Sequence, residues 1–205
     1  IELRLLEPSS IAFKAGQFVS FEVPKEGPPR PVTRPYSIAS PPGQRDRILL
    51  VLNLVQGGPG SSYLFGLREG ERASFKGPAG AFYLRDEGVR DLLFVATGTG
   101  IAPLRSMILA QLERGESRSV TLFWGLRSQR DLYWQEELTA LAADHPNFSF
   151  VTTLSRPDPG WEGASGRVKA TTAAHVSSAG NLAVYMHGSS GVIKDVTARP
   201  TAKGW

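Results

Sequence analysis

Short runs of residues typical of β-strands, separated by turn residues, fill the first part of the chain. The runs occupy residues 17–23, 48–55 and 73–76. Glycine and proline clusters interrupt them at residues 28–29, 41–43 and 57–60. Several short strands with turn signals at this spacing are typical of a small antiparallel barrel or sandwich. We therefore predict an antiparallel β-barrel domain over residues 1–88.

Continuous apolar runs alternate with helical periodicity in the rest of the chain. Strands are predicted at residues 92–96, 120–124, 148–154 and 181–186. Apolar residues at spacings of three and four predict a helix over 104–112 that stops at Gly115, and a second helix over 131–143. Strands that alternate with helices form parallel sheets through right-handed crossovers. We therefore predict an α/β domain with a parallel sheet over residues 89–205.

Composition and charge exclude several classes of protein. Of the 205 residues, 41% are hydrophobic and 20% are charged, as in ordinary globular domains. No apolar run approaches the roughly 18 residues of a membrane-spanning helix. Without cysteine the chain has no disulfide or thiolate metal site, and its three scattered histidines do not suggest a metal site. The net charge of +4 suits an acidic partner and is too small for a dedicated nucleic-acid binder.

A glycine-rich turn follows the first strand of the predicted α/β domain, at residues 97–103. Gly98 and Gly100 let the backbone approach a ligand, and the next helix offers free N–H groups to a diphosphate. Pro103 fits the first helical turn. The third glycine of the common dinucleotide fingerprint is missing, and the second strand ends in Trp124-Gly125 without an acidic residue for a ribose. A tight turn that binds no ligand remains the alternative.

An unusual polar string lies in the predicted barrel at residues 34–40. On an extended strand Arg34 and Tyr36 share one face, so a guanidinium that can bind phosphate lies beside an aromatic ring. Ser37 projects from the opposite face with its hydroxyl. By composition alone, an ordinary exposed strand is the alternative interpretation.

Several strings in order along the chain together resemble the ferredoxin–NADP reductase superfamily of flavin-dependent reductases, which includes cytochrome b5 reductase and oxygenase reductase components. The matching strings are 34–37 (Arg-Pro-Tyr-Ser), 57–64 (Gly-Gly-Pro-Gly-Ser-Ser-Tyr-Leu), 77–82 (Gly-Pro-Ala-Gly-Ala-Phe), 97–103 (Thr-Gly-Thr-Gly-Ile-Ala-Pro) and 125–138. The resemblance covers nearly the whole chain. It implies an FAD-binding antiparallel barrel followed by an NAD(P)-binding parallel sheet.

The resemblance also implies roles for residues of the predicted barrel. Arg34 would pair with the FAD diphosphate, Tyr36 would pack against the flavin, and Ser37 would form a hydrogen bond near the reactive flavin N5. Ser61 and neighbouring backbone groups would hold the phosphates. The other FAD-binding residues implied are Pro35, Val51, Leu52, Asn53, Gly57, Gly58, Gly60 and Ser62.

For the nicotinamide nucleotide, the resemblance implies a site around the glycine turn. The residues implied are Gly98, Thr99, Gly100, Pro103, Arg127 and Gly188. A Ser155-Arg156 pair and the later Arg167 match the residues that hold the 2′-phosphate in NADPH-using relatives, so NADPH is favoured and NADH remains possible. Lys169 stands where the family has a tyrosine, and a lysine can pair with phosphate but cannot stack on adenine.

The chain departs from the family near its end. Met186-His187-Gly188 replaces the usual Cys-Gly, and His187 is predicted either to orient the nicotinamide or to donate a proton; a role without chemistry is the alternative. Relatives commonly continue through another strand, so we expect a truncated second domain and a chain that is a piece of a longer protein.

The function predicted is an FAD-dependent NAD(P)H oxidoreductase. It would pass a hydride from nicotinamide to flavin N5, and then single electrons to an acidic ferredoxin or flavodoxin. Alternatives are the reductase module of a larger protein with a haem or iron–sulfur domain, and a non-enzymatic FAD-binding electron-transfer subunit. A cytoplasmic location is expected, without a membrane span or a nucleic-acid partner.

Overall fold

The computed structural model describes residues 1–23, 32–86, 88–176, 178 and 180–189. Two small antiparallel sheets form the first half of the chain. One pairs β1 (Glu2–Arg4) with β4 (Arg47–Leu49), and the other has the order β3 (Val32–Ser37), β2 (Phe18–Val23), β5 (Phe75–Ala79). The helix α1 (Pro59–Gly66) packs on β2 and β3. A separate core fills this half with Val19, Phe21, Ile38, Ile48, Leu50 and Leu64.

A five-stranded parallel sheet forms the second half, with the order β10-β6-β7-β8-β9. The strands are β6 (Asp91–Thr97), β7 (Val120–Leu126), β8 (Phe148–Leu154), β9 (Ala164–Ser165) and β10 (Leu182–His187). The helices are α2 (Ile101–Leu112), α3 (Gln135–Asp144) and α4 (Val168–His175). This architecture confirms the predicted fold class of an antiparallel domain followed by a parallel α/β sheet.

The order of the strands indicates where a ligand would bind. The chain runs outward from β6 through β7, β8 and β9, and then returns to place β10 on the other side of β6. The strand order therefore reverses between β6 and β10, and the carboxyl ends of these two strands lie side by side. Open α/β sheets bind ligands at such a switch point.

The two halves pack directly on each other. Ala15 and Leu84 of the antiparallel half, which are joined to each other by a hydrogen bond from the Leu84 amide to the Ala15 carbonyl at 2.9 Å, belong to the core of the parallel half. The buried hydroxyl of Ser106 on α2 donates to the carbonyl of Ser40 at 2.7 Å. The predicted domain boundary at residue 88 lies between β5 and β6, and it stays a prediction.

The predicted helix over residues 131–143 is wrong at its start, since α3 begins at Gln135. Ser128 and Asp131 form a capping box that closes a 3₁₀ turn, and Trp134 has a left-handed backbone with a φ of 56°. Both features prevent residues 131–134 from joining the helix. In the described part of the chain no helix is long and apolar enough to cross a membrane.

Candidate functional site: a cleft between the two halves

A cleft of about 1270 Å³ runs between the antiparallel half and the carboxyl edge of the parallel sheet. It is larger than the ~300–1,000 Å³ of a pocket for one small ligand, so it has room for more than one. Its walls come from β3, residues 51–55, the start of α1, the glycine turn after β6, and the ends of β7 and β10.

Most of the predicted site residues line this one cleft. From the antiparallel half they are Arg34, Pro35, Tyr36, Ser37, Val51, Leu52, Asn53, Gly58, Gly60 and Ser61. From the parallel half they are Gly98, Thr99, Gly100, Arg127, Ser155, Arg167, His187 and Gly188. Gly57, Ser62, Pro103 and Arg156 are predicted site residues that are not among the lining residues. The structure thus brings both groups of motifs to one space.

Arg34 and Tyr36 lie side by side against the start of α1. A methyl group placed on Gly60 would lie 2.5 Å from the Tyr36 hydroxyl and 2.8 Å from Arg34 Cγ, so glycine allows this close approach. The exposed Arg34 guanidinium donates to the carbonyl of Thr33 at 2.9 Å. Burial raises the pKa of Tyr36, and the phenol is therefore a neutral donor. The pair provides a cation beside an aromatic ring at a helix N-terminus.

The hydroxyl of Ser61 shapes the loop before α1. It accepts a hydrogen bond from the Val55 amide at 3.0 Å, and lies 3.3 and 3.2 Å from the carbonyls of Val55 and Gly58. Ser61 is buried, and no side chain caps the helix at Gly58. Because the hydroxyl is used within the loop, the donors left to face the cleft are the first backbone amides of α1.

Two side chains from the parallel half hold the glycine turn in place. Gly98 has a φ of 53°, and its carbonyl accepts hydrogen bonds from Trp124 Nε1 at 3.0 Å and from the Tyr133 hydroxyl at 3.2 Å. The two rings meet edge to face with centroids 4.7 Å apart. Burial raises the pKa of Tyr133, so its hydroxyl stays protonated and donates. These bonds orient the turn, and its backbone lines the cleft.

The end of β10 closes tightly on the glycine turn. A methyl group on Gly100 would lie 2.4 Å from the carbonyl oxygen of His187, and one on Gly188 would lie 2.0 Å from Thr97 Oγ1. Gly188 has a φ of 156°. The Ser189 amide donates to the same Thr97 oxygen at 3.1 Å. Both glycines are therefore required for the turn and β10 to meet.

His187 lies at the junction of the two halves. Its ring stacks on Phe82 with centroids 5.6 Å apart, and Nδ1 is buried without a hydrogen-bond partner. Burial lowers the pKa of His187, against a smaller opposing effect of the Gly100 backbone. The imidazole is thus neutral at pH 7, which favours an orienting role over the predicted role as a proton donor.

Four cationic side chains surround the outer end of the cleft, near the carboxyl ends of β7 and β8. They are Arg127, Arg130, Arg167 and Lys169. Ser155 lies beside them and is exposed. The side chain of Arg156 is also exposed, and the Arg156 backbone amide donates to the Arg127 carbonyl at 2.8 Å. Asp131 also lines the cleft, but its carboxylate accepts from the Ser128 amide and hydroxyl. This end therefore favours an anionic ligand.

Arg130 and Tyr133 also line the cleft, although no motif pointed to Arg130, and Tyr133 stood out only as part of the matching string 125–138. Both follow the strand end at Leu126, a position from which side chains commonly reach a ligand in α/β folds. Their place just after the end of a strand was the sequence signal that could have identified both residues.

The donor set fits FAD and a nicotinamide dinucleotide. Neither α1 nor the 3₁₀ turn Gly98–Gly100 that precedes α2 has a side-chain cap, and both line the cleft, so each presents backbone donors suited to a diphosphate. A methyl group at Gly98 would meet no atom within 4 Å, so space is open above the turn. Arg34 and the four outer cations supply positive charge near these two positions.

Comparisons with known proteins identify the same two units. Residues 1–83 match the family described as "Oxidoreductase FAD-binding domain", and residues 94–198 match "Oxidoreductase NAD-binding domain". The chain belongs to the ferredoxin–NADP reductase superfamily, and it carries the FAD-binding and NAD-binding domains of a flavin-dependent NAD(P)H oxidoreductase. The predicted family and the predicted cofactor classes are confirmed.

Individual relatives give more detail. The chain is 41% identical over 167 residues to the reductase component DmpP of phenol 2-monooxygenase from Pseudomonas sp. strain CF600, a match that covers 80% of this chain and 46% of that protein. It is 42% identical over 159 residues to ferredoxin–NADP reductase B from Sorangium cellulosum, covering 77% and 64%. The chain thus spans about half to two thirds of the length of these relatives.

A solved structure shares the fold. It is a ferredoxin NADP⁺ reductase from Neisseria gonorrhoeae with bound FAD and NADP, which superposes with a TM-score of 0.80 at 25% identity. The superposition covers 96% of this chain and 81% of that one.

Proposed function

We propose that this chain oxidises NADPH through bound FAD and passes the electrons one at a time to a separate protein. The observation that carries the proposal is the shared cleft, because the flavin string on β3 and the glycine turn after β6 line the same space. A site for one cofactor alone would not need both.

On the flavin side, the roles proposed for Arg34 and Tyr36 are supported by their place against the start of α1. Arg34 would neutralise the FAD diphosphate, which the first amides of α1 would also bind. Tyr36 would pack against the flavin, since its ring lies beside Arg34 along the cleft wall. Ser37 is half-buried and would present its hydroxyl near flavin N5.

On the nucleotide side, the glycine turn would hold the NADPH diphosphate. Trp124 and Tyr133 fix that turn through the Gly98 carbonyl, so the binding geometry exists before the ligand arrives. The outer cations would bind the 2′-phosphate of NADPH. A carboxylate that binds the free ribose hydroxyl would favour NADH, but the carboxylate of Asp131 is held by Ser128, so NADPH is favoured. Arg156 would join them by a change of side-chain position, since it is exposed.

When bound, the two cofactors supply the redox chemistry, a hydride transfer from nicotinamide to flavin N5 followed by release of single electrons. The protein contributes alignment, because the two binding sites are fixed on packed halves. His187 would orient the nicotinamide amide as a neutral group. Its stacking on Phe82 would hold the imidazole in place.

An acidic electron carrier is the proposed acceptor. The relatives are named as a ferredoxin–NADP reductase and as the reductase component of a monooxygenase, which supports transfer to another protein. The net charge of +4 would favour an acidic carrier such as a ferredoxin or flavodoxin. A cytoplasmic location is part of the same proposal.

A second candidate is the reductase module of a longer redox protein. The observation that favours it is length, since this chain corresponds to 46% of the phenol 2-monooxygenase reductase component. In that case the acceptor would be a covalently linked redox domain.

Steady-state reduction of added acceptors tests the proposal. FAD-loaded protein should reduce ferricyanide faster with NADPH than with NADH, and its reduction of an acidic ferredoxin should slow as salt is added. Ferricyanide is a small acceptor and serves as the control for salt effects on the flavin site. Reduction of ferricyanide without any reduction of added carriers would favour the linked module. No reduction of either acceptor would reject both candidates and leave the non-enzymatic subunit.

A further inference from the structure

Arg105 on α2 contacts both halves of the molecule. Its Nη1 donates to the carbonyl of Ala39 in the antiparallel half at 2.7 Å. Its Nε donates to Glu137 Oε1 on α3 at 2.8 Å, and Nη2 lies 2.6 Å from the same oxygen. Only 14% of the Arg105 side chain is exposed, so water screens these contacts weakly.

The ring of Trp134, a residue with a strained backbone, packs against the Arg105 side chain. The guanidinium lies over the Trp134 ring, with 4.6 Å from Cζ to the centroid. Trp134 is the non-glycine residue with a positive φ among those described, at 56°. Such a conformation is unfavourable for a residue with a side chain and persists only where its surroundings fix it. The Trp134 ring therefore packs against Arg105 from a fixed backbone position.

The next residue adds a second connection between the same two segments. Ser106 donates to the carbonyl of Ser40 at 2.7 Å, and both residues are buried. Two consecutive residues of α2 therefore hold two consecutive carbonyls of the antiparallel half. We call Arg105, Ser106, Ala39 and Ser40 the interdomain clamp.

Each side of the clamp lies a few residues beyond one of the two proposed cofactor sites along the chain. Ala39 is two residues beyond Ser37, the hydroxyl proposed to face flavin N5. Arg105 is five residues beyond Gly100, the end of the turn proposed to bind NADPH. A shift at the clamp would move one site relative to the other, although neither site would lose a contact of its own.

We propose that Arg105 is a positioning residue that sets the distance between nicotinamide and flavin for hydride transfer. This inference rests on the proposed function. Arg105 does not line the cleft, so it acts through Ala39 and through the Trp134–Glu137 support. Its effect is expected on the rate of the hydride step and not on the affinity for either cofactor.

The test compares the variants Arg105→Ala, Arg105→Lys and Glu137→Gln with Arg114→Ala. Arg114 is an exposed arginine just beyond the end of α2, and its ion pair with Glu116 is long, at 3.9 Å. Arg114→Ala therefore removes an arginine from the same region without removing a buried contact, and it serves as the matched control. The first measurement is the single-turnover loss of flavin absorbance with saturating NADPH. Arg105→Ala should slow this step about tenfold to a hundredfold, since small misplacements of reacting groups cost that much.

Graded variants separate positioning from loss of folding. Arg105→Lys keeps a cation over Trp134 but cannot reach both Ala39 and Glu137, and should therefore be slowed less than Arg105→Ala. Glu137→Gln should also give an intermediate rate. The dissociation constants of FAD and NADP⁺ should match wild type in every variant, as should the rate of Arg114→Ala.

A second measurement does not depend on activity. Hydrogen exchange of the amides of residues 38–40, followed in the cofactor-free protein, should speed up in Arg105→Ala and not in Arg114→Ala. The proposal would be overturned if Arg105→Ala changed neither the hydrogen exchange nor the hydride rate. It would also be overturned if Arg105→Ala lost FAD affinity by the same factor as it lost hydride rate. If wild-type flavin keeps its absorbance with NADPH, the proposed function fails, and the exchange result still decides whether the clamp exists.

Discussion

Replacing Gly100 by alanine tests the tight junction between the glycine turn and β10. The new Cβ would lie 2.4 Å from the His187 carbonyl oxygen and 2.7 Å from Gly188 Cα, whereas ordinary contact begins near 3.4 Å. The turn and the end of β10 would have to separate by about 1 Å, and both neighbours are backbone, which cannot swing away as a side chain does. Overpacking of this kind costs about 1–3 kcal/mol.

The upper end of that range is expected for Gly100→Ala, because neither side of the junction can yield. A loss of ~3 kcal/mol corresponds to a fall of about 6–12 °C in melting temperature for a chain of this size. All four tryptophans follow residue 88, so tryptophan fluorescence reports unfolding of the parallel half. NADP⁺ affinity should fall as the turn is displaced, while FAD affinity should hold.

The matched control is Gly66→Ala at the end of α1. An added methyl group there meets no atom within 4 Å, and the residue is helical. It should unfold at or slightly above the wild-type temperature, since alanine in a helix gains about 0.5–1 kcal/mol over glycine. The reasoning about the junction would be refuted by a Gly100→Ala variant that melts with wild type and binds NADP⁺ equally well.

Three further outcomes are expected. Arg34→Ala should weaken FAD binding about 10- to 150-fold, which is the contribution of one charged hydrogen bond. Arg45 is an exposed arginine outside the cleft lining, so Arg45→Ala should leave FAD binding unchanged. Calorimetric titration with FAD measures the affinity of both variants. Arg156→Ala should raise KM for NADPH more than for NADH, and Arg167→Ala should do so more strongly because it lines the cleft; equal effects on both nucleotides would contradict the phosphate assignment. Since burial lowers the pKa of His187 below 6.5, the unfolded chain binds the proton first, so stability should decline as pH falls below about 6.5. His187→Gln should lessen that decline in urea unfolding curves above and below this pH.

The strands β6, β7, β8 and β10 were predictable from their apolar runs, whereas the two-residue β9 was not. Residues 148–154 form β8 as predicted, and the strands predicted at 92–96 and 120–124 are each two residues longer in the structure. The glycine turn was also visible, since strand, glycines and helix are consecutive in the chain. Local sequence was enough for these elements.

Other features depend on contacts between distant segments. The helix α1 begins within a Gly-Gly-Pro-Gly string that indicates a turn, and its burial against β2 and β3 makes it helical. The convergence of Trp124 and Tyr133 on one carbonyl, and the reach of Arg105 to Ala39, join residues far apart in sequence. The hydrophobic pattern of a sequence does not predict such pairs. The interdomain clamp and the hydrogen bonds that hold the glycine turn were therefore visible only in the structure.

An anaerobic titration of FAD-loaded protein with NADPH tests the central claim most directly. If the cleft brings nicotinamide and flavin together, about one equivalent of NADPH should abolish the visible absorption band of oxidised flavin. If the band persists although FAD and NADP⁺ both bind, the two sites do not meet in one cleft and the account is contradicted.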